Sequence, residues 1–291
     1  MIRVLVTGAG GQLGSCLKKQ SKLQQTLDFV FFDSKDLDIT NIDQIESFFL
    51  NSNSNSNSNF DYCINCAAYT AVDQAEDDYD RAYSINVIGV KYLATICEKY
   101  RTTLIHVSTD FVFSGSNNKP YREMDRTDPL GVYGITKLKG EDEIRFALDQ
   151  HYIIRTSWLY SEFKSNFVKT MLKLSSEKEE LSVVNDQKGT PTNANDLVSA
   201  ILVIINSNNE AFGIYNFSNL GETTWYGFAK SIFDLTNADV KLDKVSSDAF
   251  VTKARRPKYS VLDKTKIITT FDLNIPEWKE SLENHLKITY P

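Results

Sequence analysis

Residues 2–14 read IRVLVTGAGGQLG. An apolar-rich run opens straight into a glycine turn carrying Gly8, Gly11 and Gly14, and GQLGSCLKKQSKL continues as a helix. A glycine triplet alone says little, but here it has a strand before it, a helix after it and an acid closing the next strand. Glycines let such a turn close tightly and let backbone N–H groups approach a pyrophosphate at the helix N-terminus. The second strand, LDFVFFD, ends at Asp33, 19 residues beyond Gly14. That is close to the offset of about 20 for a carboxylate on the adenosine ribose hydroxyls. Asp33 favours NADH, while Lys35 two residues later can accept a 2′-phosphate, so NADPH stays open.

The pattern continues outward from that turn. Helical NIDQIESFFL leads to the strand DYCINCAA, a long helical stretch spans residues 77–100, and TTLIHVSTD forms a fourth strand. Helix–strand alternation with apolar strands predicts a parallel sheet covered on both faces, a Rossmann-like doubly wound α/β fold. After it come the helical ITKLKGEDEIRFAL and the strand YIIRTSWLY. Residues 1–160 are thus read as the dinucleotide-binding domain. Residues 161–291, richer in Asn-, Asp-, Gly- and Thr-containing loops, are read mainly as a smaller substrate-binding lobe, with later segments free to return to the sheet. The polar NSNSNSNSN at 51–59 offers nothing to a core and reads as a surface insertion lengthening a loop.

Bulk composition narrows the class. A net charge of −6 argues against nucleic acid as the main partner. No apolar stretch approaches the ~18 residues of a membrane span, and MIRVLVTGAG is too short a run for a signal peptide. The cytoplasm is the expected compartment. Four cysteines fit a reduced environment. Cys63 and Cys66 form C-x-x-C, but on a strand residues three apart point to opposite faces, so they read as core rather than a redox or zinc site.

Three tyrosines stand four residues before a lysine: Tyr133/Lys137, Tyr160/Lys164 and Tyr226/Lys230. Position separates them. Tyr133 follows the fourth strand, whose end carries Ser108, Thr109 and Asp110, and ligands of open parallel sheets bind beyond the carboxyl ends of the strands. Tyr160 is preceded by no helix, and Tyr226 begins a late helix far from the cofactor half. A phenol with an ordinary pKa near ~10 is a poor acid–base group at neutrality, and a nearby ammonium lowers it. With Thr109 hydrogen-bonding a carbonyl oxygen and Tyr133 supplying a proton, the set suits hydride transfer to a ketone. His106 reads as a core histidine of the fourth strand, and His151 and His285 have no clustered partners.

The stretches TGAGGQLG, NCAAYTAVDQAE, INVIGVKYLA, VSTDFVFSG, PLGVYGITKLKGE, RTSWLY, NFVKTML, LSVVNDQKGTPT and RRPKYSVLD follow one another through residue 263. In that order they resemble the extended short-chain dehydrogenase/reductases, in the branch that reduces dTDP-4-keto-6-deoxy sugars. The resemblance implies Tyr133 and Lys137 as the catalytic pair with Thr109 assisting. It implies cofactor contacts from Gly11, Gln12, Leu13, Asp33, Asp38, Ile39, Ala68, Tyr69 and Thr70, and from the catalytic pair. Thr109, Asp110 and Trp158 match the sugar end of the site, and Asn185, Gln187 and Arg256 match contacts to the dTDP-sugar. A guanidinium at Arg256 can grip a diphosphate in bidentate fashion. The implied reaction is reduction of the C4 ketone of dTDP-4-dehydro-β-L-rhamnose, a step toward cell-surface polysaccharide.

Two departures bear on this. Related dehydratases carry Thr-Asp-Glu at the strand end, whereas Phe111 stands here and cannot exchange a proton. Some reductases of the branch bridge a homodimer with Mg²⁺ through a glutamate after the glycine turn. Here Ser15 and Cys16 follow Gly14, so no bridging metal is expected, whether or not a homodimer forms. The alternatives are a reductase of another dTDP-4-keto-6-deoxy sugar, or a non-catalytic regulatory subunit like that of methionine adenosyltransferase.

Overall fold

A computed structural model describes residues 1–56 and 59–290. Strand β1 (Ile2–Thr7) enters helix α1 (Gln12–Gln20), and β2 (Leu27–Phe32) leads to α2 (Ile42–Ser56) and β3 (Tyr62–Asn65). Two short helices follow, α3 (Val72–Ala75) and α4 (Tyr79–Tyr83). A π-helical turn at Ser84–Gly89 joins α4 to α5 (Val90–Tyr100). Strand β4 (Thr103–Thr109), helix α6 (Val132–Ala147) and β5 (His151–Thr156) complete the first part. The second part runs β6 (Leu159–Tyr160), α7 (Phe167–Glu177), β7 (Glu180–Val184), β8 (Lys188–Gly189), β9 (Thr192–Asn193) and α8 (Ala194–Ser207). It ends with β10 (Gly213–Asn216), β11 (Thr223–Thr224), α9 (Trp225–Thr236), β12 (Lys241–Val245), α10 (Thr265–Phe271) and α11 (Trp278–Thr289).

Six of these strands form one parallel sheet in the order β2-β1-β3-β4-β5-β10. On one face, Leu13 and Leu17 of α1, the apolar stripe of α8 and Ile267 of α10 bury Val4, Val6 and Ile154. On the other, Ile45 and Phe49 of α2, Leu93 and Cys97 of α5 and Ile144 of α6 bury Leu5, Leu104 and Ile153. The sixth strand and α8 come from beyond residue 160, so the chain crosses back into the sheet after entering the second lobe. That lobe has its own core, with Tyr160, Met171, Leu181, Phe228 and Trp278 packed together.

Cys63 packs into one face of the sheet and Cys66 against the other, as expected for residues three apart. Two expectations change. The helical stretch at 77–100 is not one regular helix, because the π turn widens it where Gly89 admits Ile39 and where Gly140 of α6 rests on the Asn86 carbonyl. Helix α2 also continues to Ser56, through the start of the Asn-Ser repeat read as loop, while residues 57 and 58 lie outside the described residues. Among the described residues no helix is long and apolar enough to cross a membrane.

Candidate active site

Strand order reverses between β1 and β3, and the crevice at the carboxyl ends of such strands is where open α/β sheets take ligands. The glycine turn sits there. Gly8 has φ 68°, and a Cβ on it would lie 2.4 Å from the Ala67 nitrogen. At Gly14 a Cβ would meet the Gly8 oxygen at 2.5 Å, which is what lets α1 start hard against the turn. Asp33 borders the turn, its Cβ 3.5 Å from where a Gly10 side chain would begin. Gln12 reaches the second lobe, its side-chain oxygen accepting from Ser161 at 3.1 Å and Asn166 at 3.2 Å.

A cavity of about 480 Å³ opens over this turn. Gly11, Gln12, Leu13, Ala68 and Thr70 line it together with Thr109, Asp110, Tyr133, Lys137 and Trp158. Thr109 ends β4, and its hydroxyl accepts the Phe111 N–H at 3.2 Å, so the chain turns sharply beyond the strand. Helix α6 brings Tyr133 to the same place. Its first N–H groups need an acceptor, and the Glu76 carboxylate supplies one to Val132 at 2.9 Å. The Tyr133 ring stands edge-on to Phe111, centroids 5.6 Å apart. The side chain of Asn86, from the π turn, bonds both the Tyr69 backbone and Thr136, so one amide locks the loop after β3 to α6.

The electrostatics differ from those expected for a phenol beside an ammonium. Burial pushes the Tyr133 phenol up to about 12, against a smaller opposing pull from its hydrogen bond with Thr109. Lys137 is almost wholly buried, and its Nζ is engaged elsewhere, 3.0 Å from His106 Nε2 and 2.8 Å from the Val107 carbonyl oxygen. Desolvation brings Lys137 down to about 8. Loss of water around the phenol therefore dominates, and Tyr133 stays protonated, the form that can give a proton away. Asp110 is pushed up to about 6, again by burial first.

Trp158 holds φ 46°, an uncommon backbone state for a bulky residue. Its ring lies between Trp225, stacked with centroids 3.6 Å apart, and Gly189, where a Cβ would strike it at 2.6 Å. The remaining candidates sit apart from this cavity. Asp38 accepts from the Thr40 backbone and hydroxyl, Ile39 packs in the core, and Tyr69 reaches Asp78 at 3.3 Å. Asn185 accepts from Thr224 at 2.9 Å. Gln187 and Arg256 line a separate cavity of about 670 Å³ with Arg255 and Lys258. Arg256 pairs with Asp73 at 2.7 Å while its Nε finds no partner among the described residues.

The family model described as the RmlD substrate binding domain matches residues 2–290. The dTDP-4-dehydrorhamnose reductase of Aggregatibacter actinomycetemcomitans is 40% identical over 98% of both chains. This chain belongs to the dTDP-4-dehydrorhamnose reductase family. The spore coat polysaccharide biosynthesis protein SpsK of Bacillus subtilis is 39% identical over 99% of this chain and 98% of its own. A crystal structure of the Bacillus anthracis dTDP-4-dehydrorhamnose reductase in complex with NADP is 40% identical. It superposes with a TM-score of 0.93 over 99% of this chain and all of that one.

Within this member of the family, several residues that hold the site went unread in the sequence. Glu76 and Asn86 act across 56 and 50 residues of chain, and no local pattern marks them. His106 is a core histidine as expected, but it also touches Lys137. Cys66, read only as core, forms part of the cavity wall, and burial keeps its thiol protonated.

Proposed function

We propose that the protein reduces the C4 ketone of dTDP-4-dehydro-β-L-rhamnose to dTDP-β-L-rhamnose, for cell-surface polysaccharide, with NADPH or NADH as reductant. The observation that carries this reading is the meeting of Thr109, Tyr133 and Lys137 in one cavity with the glycine turn of β1. The turn fits the cofactor's pyrophosphate, because side chains are excluded at Gly8 and Gly14 and the N-terminus of α1 faces the crevice. When bound there, the dihydronicotinamide supplies a hydride.

The chain's own groups supply the rest. Thr109 and Tyr133 present hydroxyls toward the ketone oxygen, and the charge that develops on that oxygen favours donors already in place. The Tyr133 phenol, held protonated by burial, transfers its proton to the oxygen as the C–H bond forms at C4. One hydride and one proton convert the ketone to the alcohol. Lys137 stands one helical turn from Tyr133 in the same cavity, where it would hold the cofactor ribose. Trp158, clamped by Trp225 and Gly189, forms a flat wall for the sugar. Arg256, with Arg255 and Lys258, offers concentrated positive charge for the diphosphate, and Gln187 lines the same cavity as a neutral hydrogen-bonding group. Binding that remote group orients the sugar over the reacting atoms. Phe111 fills the place where a dehydratase needs a proton-exchanging glutamate.

Reduction with cofactor deuterated at nicotinamide C4 tests the assignment. The expected product is dTDP-β-L-rhamnose with deuterium at sugar C4. Deuterium at another carbon would assign a different keto sugar, and a product epimeric at C4 would mean that hydride reaches the opposite face of this ketone.

A further inference from the structure

A chain of buried hydrogen bonds lies beneath the active lysine. The Asn65 side-chain oxygen accepts from the Thr7 hydroxyl at 2.7 Å and from the Ala67 backbone N–H at 3.0 Å. A backbone N–H can only donate, so it fixes which way the amide points. The Asn65 NH₂ therefore faces His106 Nδ1, at 3.0 Å. That nitrogen must accept, and the imidazole proton must sit on Nε2. Nε2 in turn lies 3.0 Å from Lys137 Nζ, and Nζ also lies 2.8 Å from the Val107 carbonyl oxygen, which can only accept. Asn65 and His106 are fully buried, and Thr7 and Lys137 nearly so. Water does not reorganise around them.

An ammonium has three donors and no lone pair. Against an Nε2–H it would set donor against donor, whereas an amine accepts that proton, donates to Val107 and keeps one N–H for the cavity. We propose that Asn65, acting through His106, is a positioning residue: it fixes the Nε2–H tautomer and so favours the amine form of Lys137. The inference rests on the reductase reading of the site for its meaning in catalysis, but not for its geometry.

The other groups around Lys137 do not relieve the conflict. Cys66, at the end of β3, remains a thiol. Glu141, one turn along α6, raises the proton affinity of Lys137, but its carboxylate is bound by Arg155 and Ser108. Tyr133 remains a phenol. Asp110 stands near Tyr133 and raises the proton affinity of that phenol. Burial lowers Lys137 to about 8, in the same direction as the tautomer lock.

Long-range ¹H–¹⁵N correlation spectra of the uniformly labelled wild-type protein test the lock directly. The chain has three histidines, and His106 is assigned by its loss in His106→Gln. A bare Nδ1 and protonated Nε2 at neutral pH are expected; a proton on Nδ1 overturns the proposal. Asn65→Asp supplies the second readout, because a carboxylate would take Nδ1–H and leave Nε2 as an acceptor for the ammonium. The limb of the pH–kcat profile belonging to Lys137 should rise by about 1–3 units. An unmoved limb in folded Asn65→Asp enzyme contradicts the lock. If that variant does not fold, the wild-type spectrum decides, and it requires no activity.

Discussion

A Cβ on Gly134 would lie 2.3 Å from the carbonyl oxygen of Phe111. Helix α6 therefore rests directly on the turn that follows Thr109, and this contact sets the distance between the Thr109 and Tyr133 hydroxyls. Gly134→Ala should push the helix off the turn and lower kcat by about 10²-fold, the scale of a misplacement near 1 Å. Cofactor affinity should fall less, since the glycine turn of β1 is untouched and only the Lys137 contact moves with the helix. Steady-state kinetics with a cofactor titration check both.

Tyr133→Phe removes the proposed proton donor and leaves the ring against Phe111. Loss of a positioned general acid should reduce kcat by about 10²–10⁴-fold. Cofactor binding followed by nicotinamide fluorescence should match wild type. Turnover at the wild-type rate in this variant would remove Tyr133 from the mechanism.

Asp110 gives a pH signature. Its carboxyl titrates at about 6 in the folded chain against an ordinary 3.8, chiefly through burial. The folded state then holds more protons than the unfolded state between those values, so this group's contribution to stability falls as pH rises from about 4 to about 6. Asp110→Asn should remove that loss. At about 1.4 kcal/mol per unit, the variant should gain up to about 3 kcal/mol on wild type between pH 4 and pH 7. Urea unfolding at the two pH values measures it, and an equal difference at both contradicts it.

Arg256 should act on binding rather than on chemistry. Arg256→Ala is expected to raise the KM for the dTDP-sugar by about 10–100-fold, the loss of a hydrogen bond to a charged group. The KM for the cofactor and the rate at saturating sugar should hold. An unchanged sugar KM would leave Arg256 as a partner of Asp73 and nothing more.

The fold was legible because its signals are local. The apolar strands, the glycine turn and the acid ending β2 each occupy a few adjacent residues, and together they imply a parallel sheet with a nucleotide crevice. Tyr133 could be picked from three tyrosines with the same lysine spacing because its place after β4 is a matter of chain order. Tyr226 proves to lie in the first turn of α9, with Lys230 paired to Asp234, and Lys164 lies in no helix. What stayed hidden depends on contacts between distant segments. Asn65 orients His106 and Glu76 caps α6, and neither partner sits nearby in sequence. The direction of the Tyr133 shift was also out of reach, since it turns on how much water the fold removes from the phenol. The π turn followed from two close packings, Gly89 on Ile39 and Gly140 on Asn86, that helical periodicity does not record.

The most direct measurement is the loss of reduced-cofactor absorbance when the purified protein meets enzymatically prepared dTDP-4-dehydro-β-L-rhamnose, with NADPH and NADH tried separately. Oxidation matched mole for mole by dTDP-β-L-rhamnose is the expected result, and the two rates rank the cofactors. Cofactor that binds but is not oxidised, at any concentration of this sugar, would contradict the reductase assignment.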